Sequence, residues 1–352
     1  MSILRDRLMV KDWDIMNAGL SPFTALLMFG ALALIGAIGY GAWRYAQQRR
    51  SKLLAQLAAF AARDADELDL DKRLGRKFFV QIEHRPISIP ENAPLSIRIA
   101  VRQTGHGPDI LCVHGIGASM IIYRRLVPWL AESYRVTCID LPGFGASDKP
   151  KDLTYSLDEQ AANLLRIIEA LDLKNPLLVA SSMGGAITLR AALLEPDARG
   201  IVALAPAVDP RRIPTVLLPL TQYGDRLHRL NTSAVIRAVV QQVIARRELI
   251  TPALLALYQE PFRDKGDSSS SFMKAFGLLG DRRMPLLFKD VRAPLLIVRG
   301  LRDRLVKQAA CEDLKRLIPH AQILTHPTAG HHIMEDEPEF LAKEIRTFDR
   351  SL

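Results

Sequence analysis

The chain has 352 residues, 49% of them hydrophobic, and carries a formal net charge of +9. That length and apolar content supply a sizeable core and exclude disorder as the default state. The excess positive charge is dispersed and lies beside no nucleic-acid motif, so nucleic acid is not an expected partner and an anionic lipid surface suits the charge better.

In chain order, residues 1–20 form a mixed polar segment that includes Arg5, Arg7 and Lys11. Residues 21–43, SPFTALLMFGALALIGAIGYGAW, contain no charged side chain. This is close to the roughly 20 apolar residues that a helix needs to cross a bilayer core. The expectation is a transmembrane helix, a single-pass membrane protein and the lipid bilayer as a partner. A cleaved signal peptide is the rival reading, with Gly39 and Gly41 as its small residues, but it would have a shorter apolar core and a shorter polar head. Arg44, Arg49, Arg50 and Lys52 follow the segment and favour a cytoplasmic catalytic domain. Residues 44–77 read as a juxtamembrane helix and linker.

The main domain is expected over residues 78–352. FFVQIEH and LSIRIAVRQT are β-rich runs separated by the turn residues Asn92 and Pro94, the pattern of an antiparallel hairpin. Next come the apolar runs DILCVHG, RVTCIDLP, PLLVASS and GIVALAPA, alternating with helices expected over 119–132, 157–171 and 184–194. Runs apolar on both faces that alternate with helices specify an α/β fold with a doubly wound, mostly parallel sheet. The alternation breaks over 208–290, read as a helical lid insertion that ends in GDSSSSF, a stretch expected to be mobile. Within it, PTVLLPLTQY at 214–223 adjoins Arg211, Arg212, Arg226 and Arg229, a pattern that suits an apolar mouth above acidic headgroups or simple packing of the lid onto the core. The alternation resumes with APLLIVRG, a helix over 306–317, AQILTHP and a last helix from Pro338. Cys112, Cys138 and Cys311 lack zinc or CxxC spacing and read as buried thiols.

The chemistry concentrates at LLVASSMGGA, where a buried strand passes through Ser182 directly into a helix. A serine at so sharp a turn is held with its hydroxyl exposed, and it needs small residues two before and two after it. Ala180 and Gly184 hold those positions, Ala180 standing where glycine is usual. HGIGAS, after an earlier strand, is placed to give a second backbone N–H to an oxyanion hole, which makes Ile116 and Met183 the candidate donors. DLPGFGASD is glycine-rich but lacks the GK[ST] ending of a phosphate loop. A serine nucleophile needs an imidazole to take its proton, and the imidazole needs a carboxylate to fix its tautomer. In the order serine, acid, histidine, the candidates are Ser182, Asp303 and His331. Asp209 is a second possible acid and His332 a second possible base. With no HExxH and no Cys/His cluster, neither a catalytic metal nor a cofactor is expected.

Together HGIGAS, DLPGFGASD, ASSMGG, GLRDRLV and AGHHIMEDEP resemble the α/β-hydrolase family over about residues 78–352. The resemblance implies an eight-stranded sheet with the lid inserted after the sixth strand. An apolar N-terminal segment ahead of an SMGG elbow looks most like monoacylglycerol lipases and membrane-anchored bacterial lipases. The implied activity is hydrolysis of a carboxylic ester, a small molecule or a lipid such as a monoacylglycerol, through an acyl-enzyme on Ser182. Carbon-carbon bond hydrolases share the elbow, but their aromatic residue after the Gly-His pair is replaced here by His332. A third reading is a membrane-tethered binding protein without catalysis, which the filled triad positions oppose.

Overall fold

A computed structural model describes residues 39–41, 43–52, 69–84, 94–195, 198–212, 233–262 and 267–352. The chain divides into two units, residues 1–65 and 66–352. In the first, residues 39–41 and 43–52 are helical and exposed, and Arg44, Arg49, Arg50 and Lys52 lie on that run. Among the described residues no helix is long and apolar enough to cross a membrane. The expected single-pass membrane protein with a cytoplasmic catalytic domain is corrected on this point. A crossing helix needs about 20 consecutive apolar residues, and the described helix offers a short, basic one. Residues 1–38 and 53–68, with most of the 21–43 segment and the middle of the linker, lie outside the described residues, as do 214–223, Arg226 and Arg229.

The second unit is organised by eight strands: β1 Lys77–His84, β2 Leu95–Thr104, β3 Asp109–Val113, β4 Arg135–Ile139, β5 Leu177–Ser181, β6 Gly200–Leu204, β7 Leu295–Gly300 and β8 Gln322–His326. They form one sheet in the order β1-β2-β4-β3-β5-β6-β7-β8. The β1/β2 pairing is antiparallel, from Lys77 opposite Arg102 to His84 opposite Leu95, as the hairpin pattern predicts. β2 also runs antiparallel to β4, and every later pairing is parallel.

Successive side chains of a strand point to opposite faces, and the core follows that rule. Leu111, Val113, Leu178, Ala180, Ile201 and Ala203 pack into one cluster, with the helices α2 Leu157–Ala170, α3 Met183–Leu194 and α7 Gln308–Leu317. Ile110, Cys112, Leu177, Val179, Val202 and Leu204 pack into the other, with α4 Ser233–Val243, α5 Pro252–Gln259 and α8 Pro338–Asp349. Helix α1 Leu70–Leu74 precedes β1, and α6 Asp267–Leu278 completes the insertion between β6 and β7. All three cysteines are free and buried, with Cys112 and Cys138 in register on adjacent strands.

Two local expectations are overturned. The helix expected over 119–132 is a 3₁₀ turn at Met120–Tyr123 and a short helix at Val127–Leu130. Pro128 is the reason: proline lacks an N–H and its ring meets the carbonyl four residues back, so it can only open a new turn. The serine-rich stretch lies at the start of α6. The Ser271 hydroxyl donates to the Gly143 carbonyl at 2.6 Å, while Ala275 and Phe276 enter the core, so tertiary contacts override a weak helical propensity.

The hairpin is tied to α2 by buried polar groups. His84 Nε2 lies 3.2 Å from Glu159 Oε1, and its Nδ1 lies 2.8 Å from Asn163 Oδ1. Burial alone would raise the Glu159 carboxyl, but His84, the Thr154 hydroxyl and the Tyr155 N–H hold it below its ordinary value. A lowered carboxyl adds stability above its ordinary range and loses it as pH falls through the lowered value. Removing one member of a buried pair costs roughly 3–5 kcal/mol. Glu159→Gln should lose stability of that order at neutral pH in urea melts, and its stability should fall less steeply than that of the parent protein on acidification.

Candidate active site

Parallel pairing from β4 through β8 brings the carboxyl ends of β3, β5, β7 and β8 to one edge of the sheet, where open α/β sheets place their sites. Ser182 lies between β5 and α3 with φ 53° and ψ −118°. A serine held at positive φ costs of order 1–3 kcal/mol and persists only where the surroundings over-determine it. Here the Ser182 N–H donates to the Leu204 carbonyl at 2.9 Å, and the Ser182 carbonyl accepts from the N–H groups of Gly185 and Ala207, each at 3.0 Å. Its side chain sits at the positive end of α3, where the first N–H groups, that of Met183 among them, have no partner within the helix.

Room for this turn comes from glycine. A Cβ on Gly184 would lie 2.5 Å from the His114 carbonyl oxygen, and one on Gly115 would lie 2.9 Å from Ser182 Cβ and 3.6 Å from its Oγ. The HGIGAS loop therefore lies directly against the serine, with Ile116 next along the loop. His114 holds that loop: its Nε2 accepts from the Leu141 N–H at 3.0 Å, so Nδ1 carries the proton and donates to the Gly115 carbonyl at 2.7 Å. Burial keeps this ring neutral by lowering its pKa. The glycine-rich DLPGFGASD stretch is also a brace. Its Asp140 carboxylate accepts from the Met120 N–H at 2.7 Å and the Ala146 N–H at 2.8 Å.

Asp303 and His331 come from the loops after β7 and β8. The loops touch backbone to backbone, since a Cβ on Gly300 would lie 2.0 Å from the Ala329 carbonyl oxygen. Asp303 Oδ2 is 2.8 Å from His331 Nδ1, and Oδ1 accepts from the N–H groups of Leu305 at 2.8 Å and Val306 at 3.0 Å. Burial would raise this carboxyl, but the His331 charge and hydrogen bond, with the two N–H groups, hold it below the usual carboxylate value. Asp209 is committed elsewhere, to the Arg211 guanidinium at 2.8 and 2.9 Å. Among the described residues no hydrogen bond links Ser182 Oγ to His331.

The family model for the alpha/beta hydrolase fold matches residues 108–338. The chain belongs to the alpha/beta hydrolase family. It is 28% identical over 263 residues to 2-(acetamidomethylene)succinate hydrolase of Mesorhizobium japonicum, across 72% of this chain and 91% of that one. It is 26% identical over 248 residues to Lipase 3 of Moraxella sp. strain TA144, across 69% and 77% respectively. A crystal structure of a membrane phospholipase A aligns with a TM-score of 0.67 at 23% identity, over 92% of this chain and 98% of that one, a likeness of fold.

In this alpha/beta hydrolase the second histidine has a different environment from the first. The His332 ring stacks on His331 with centroids 5.5 Å apart, and its Nδ1 lies 2.9 Å from the Tyr258 hydroxyl. That hydroxyl also donates to Glu335 Oε1 at 3.1 Å, and Arg124 pairs with the same carboxylate. Burial first, then the His331 charge, pushes His332 down to about 3, so it is neutral at physiological pH. Sequence reasoning missed Tyr258 and Arg124, which lie in no quoted motif, and gave no role to Glu335 and Asp336 although both fall within AGHHIMEDEP.

The insertion supplies an aromatic wall beside the HGIGAS loop of the hydrolase. A Cβ on Gly117 would lie 2.9 Å from the Phe272 ring and 3.6 Å from Phe262, and these two rings meet edge to face at 6.2 Å. A separate cavity of about 460 Å³ runs between Ser119–Ile121 and α5, and neither Ser182 nor His331 lines it. The crowding at Gly115 yields a direct test. Gly115→Ala should displace the serine and lower hydrolytic turnover by about 100-fold, the cost of an ångström-scale misplacement, with little change in the thermal melt.

Proposed function

We propose that this hydrolase cleaves carboxylic esters through an acyl-enzyme on Ser182, with His331 as general base and Asp303 orienting it. The observation that carries the reading is the backbone of Ser182, held at positive φ where β5 enters α3, with the Gly115 loop pressed against its side chain. Such strain on a serine at a helix N-terminus supports a role for its hydroxyl beyond packing. In the reaction His331 Nε2 takes the Ser182 proton as Oγ attacks the ester carbonyl, and the Ile116 and Met183 N–H groups receive the oxyanion. His331 then protonates the departing alcohol, and a water activated by the same imidazole releases the acid. Asp303, carrying two backbone hydrogen bonds on its other oxygen, stays ionised and stabilises the imidazolium.

His331 is preferred to His332 as base because its Nδ1 faces a carboxylate, whereas His332 is bound to a tyrosine and held neutral. The Phe262 and Phe272 wall supports an apolar, lipid-like acyl or alcohol group, such as that of a monoacylglycerol. Ser182→Ala should abolish both hydrolysis of p-nitrophenyl esters and labelling by a fluorophosphonate probe while the fold persists, and undiminished hydrolysis would refute the reading. Asp303→Asn should leave the serine in place but lower turnover by about 10⁴-fold, because the imidazole then loses its correct tautomer. A diketone substrate in the same assay separates ester from carbon-carbon bond cleavage.

A further inference from the structure

We infer that Asp336 is a positioning residue for His331, which it holds in place by bolting the histidine loop to the segment that follows α4. This inference rests on the reading of His331 as the base. Asp336 is fully buried at the end of the short helix Ile333–Asp336. Its carboxylate accepts from three backbone N–H groups: Gly330 at 2.7 Å, Arg246 at 2.9 Å and Ala245 at 3.1 Å to both oxygens. Gly330 is the residue before His331, while Ala245 and Arg246 belong to the insertion. On the other side of His331, the His332 N–H donates to the Val243 carbonyl at 2.8 Å. The neighbours of His331 on both sides are therefore attached to residues 243–246.

The packing leaves this attachment no slack. A Cβ on Gly330 would lie 2.9 Å from the Val243 carbonyl oxygen and 3.0 Å from the Ala245 nitrogen. A second fastening lies one turn away, where Tyr258 of α5 reaches His332 Nδ1 and Glu335. Asp303 holds one nitrogen of the His331 ring but does not fix where the loop carries that ring. The backbone bolts do so. The insertion is then the pedestal of the base as well as a cover over the site.

Asp336→Asn keeps the size of the side chain but turns an N–H₂ toward N–H donors, so it breaks the bolt without emptying the site. On p-nitrophenyl butyrate the expected result is a fall in kcat of about 100-fold with KM changed less than about twofold. In hydrogen exchange, residues 243–246 and 329–332 should both become faster together while the sheet keeps its protection. Wild-type kinetics in a folded variant, acceleration in only one of the two segments, or a fall in kcat that merely tracks the loss of folded protein would overturn the inference. Should Asp336→Asn fail to fold, Tyr258→Phe serves, with an expected kcat loss of about tenfold at unchanged KM, and wild-type kinetics there would overturn it equally. Ser182→Ala and His331→Ala run alongside. Activity in those two would sink the triad itself, whereas their inactivity beside a wild-type Asp336→Asn would sink only the positioning role.

Discussion

Two stretches of backbone must pass closer than any side chain permits, and the rest of the site depends on that approach. The loop after β3 meets the turn between β5 and α3 at Gly115 and Gly184, where added carbons would overlap Ser182 and the His114 carbonyl. The contact fixes the left-handed backbone of Ser182 and sets the HGIGAS loop beside it. It also requires a neutral, doubly bonded His114 and a doubly bonded Asp140 behind the loop, because slack there would relax the turn. Parallel pairing of β3 with β5 carries the constraint into the core.

Charge is distributed around this frame by solvation. Adjacent imidazoles with stacked rings would repel if both were protonated, and burial without a carboxylate partner keeps His332 neutral. The Arg124 and Glu335 pair meets the same Tyr258 hydroxyl that faces His332, and burial raises the Glu335 carboxyl against the pull of the arginine. A buried pair of this kind adds little net stability, and its clearer effect is to fix the tyrosine that faces His332.

The sheet was legible because its strands are apolar on both faces, a signature that few other architectures produce. The elbow was legible because its steric demand falls on residues adjacent in sequence, Ala180 to Gly184. Asp303 was placed ahead of Asp209 from the order of the segments, and the fold adds what the order lacks, that Arg211 occupies Asp209 and His331 meets Asp303. The roles of Asp336 and Tyr258 were invisible because the insertion partners of Asp336 lie about 90 residues away and His332 lies 74 residues from Tyr258. Local propensity misled in two places. Pro128 divides what periodicity read as one helix, and Ser271 finds a tertiary partner that makes a polar run helical. The membrane expectation rested on an uncharged apolar run and its basic flank, and among the described residues no helix is long and apolar enough to cross a membrane.

The insertion leaves the sheet after β6 and rejoins it at β7, the neighbouring strand. Lengthening or shortening an excursion between neighbouring strands costs little chain entropy, so its far parts are open to change across generations. The stretch from Val243 to Arg246 is not, because its amide groups are shared with the histidine loop. Heritable drift is thereby channelled into point changes at side chains such as Phe262 and Phe272, which stand against the loop at Gly117. Wholesale exchange of the insertion would remove the footing of the histidine loop.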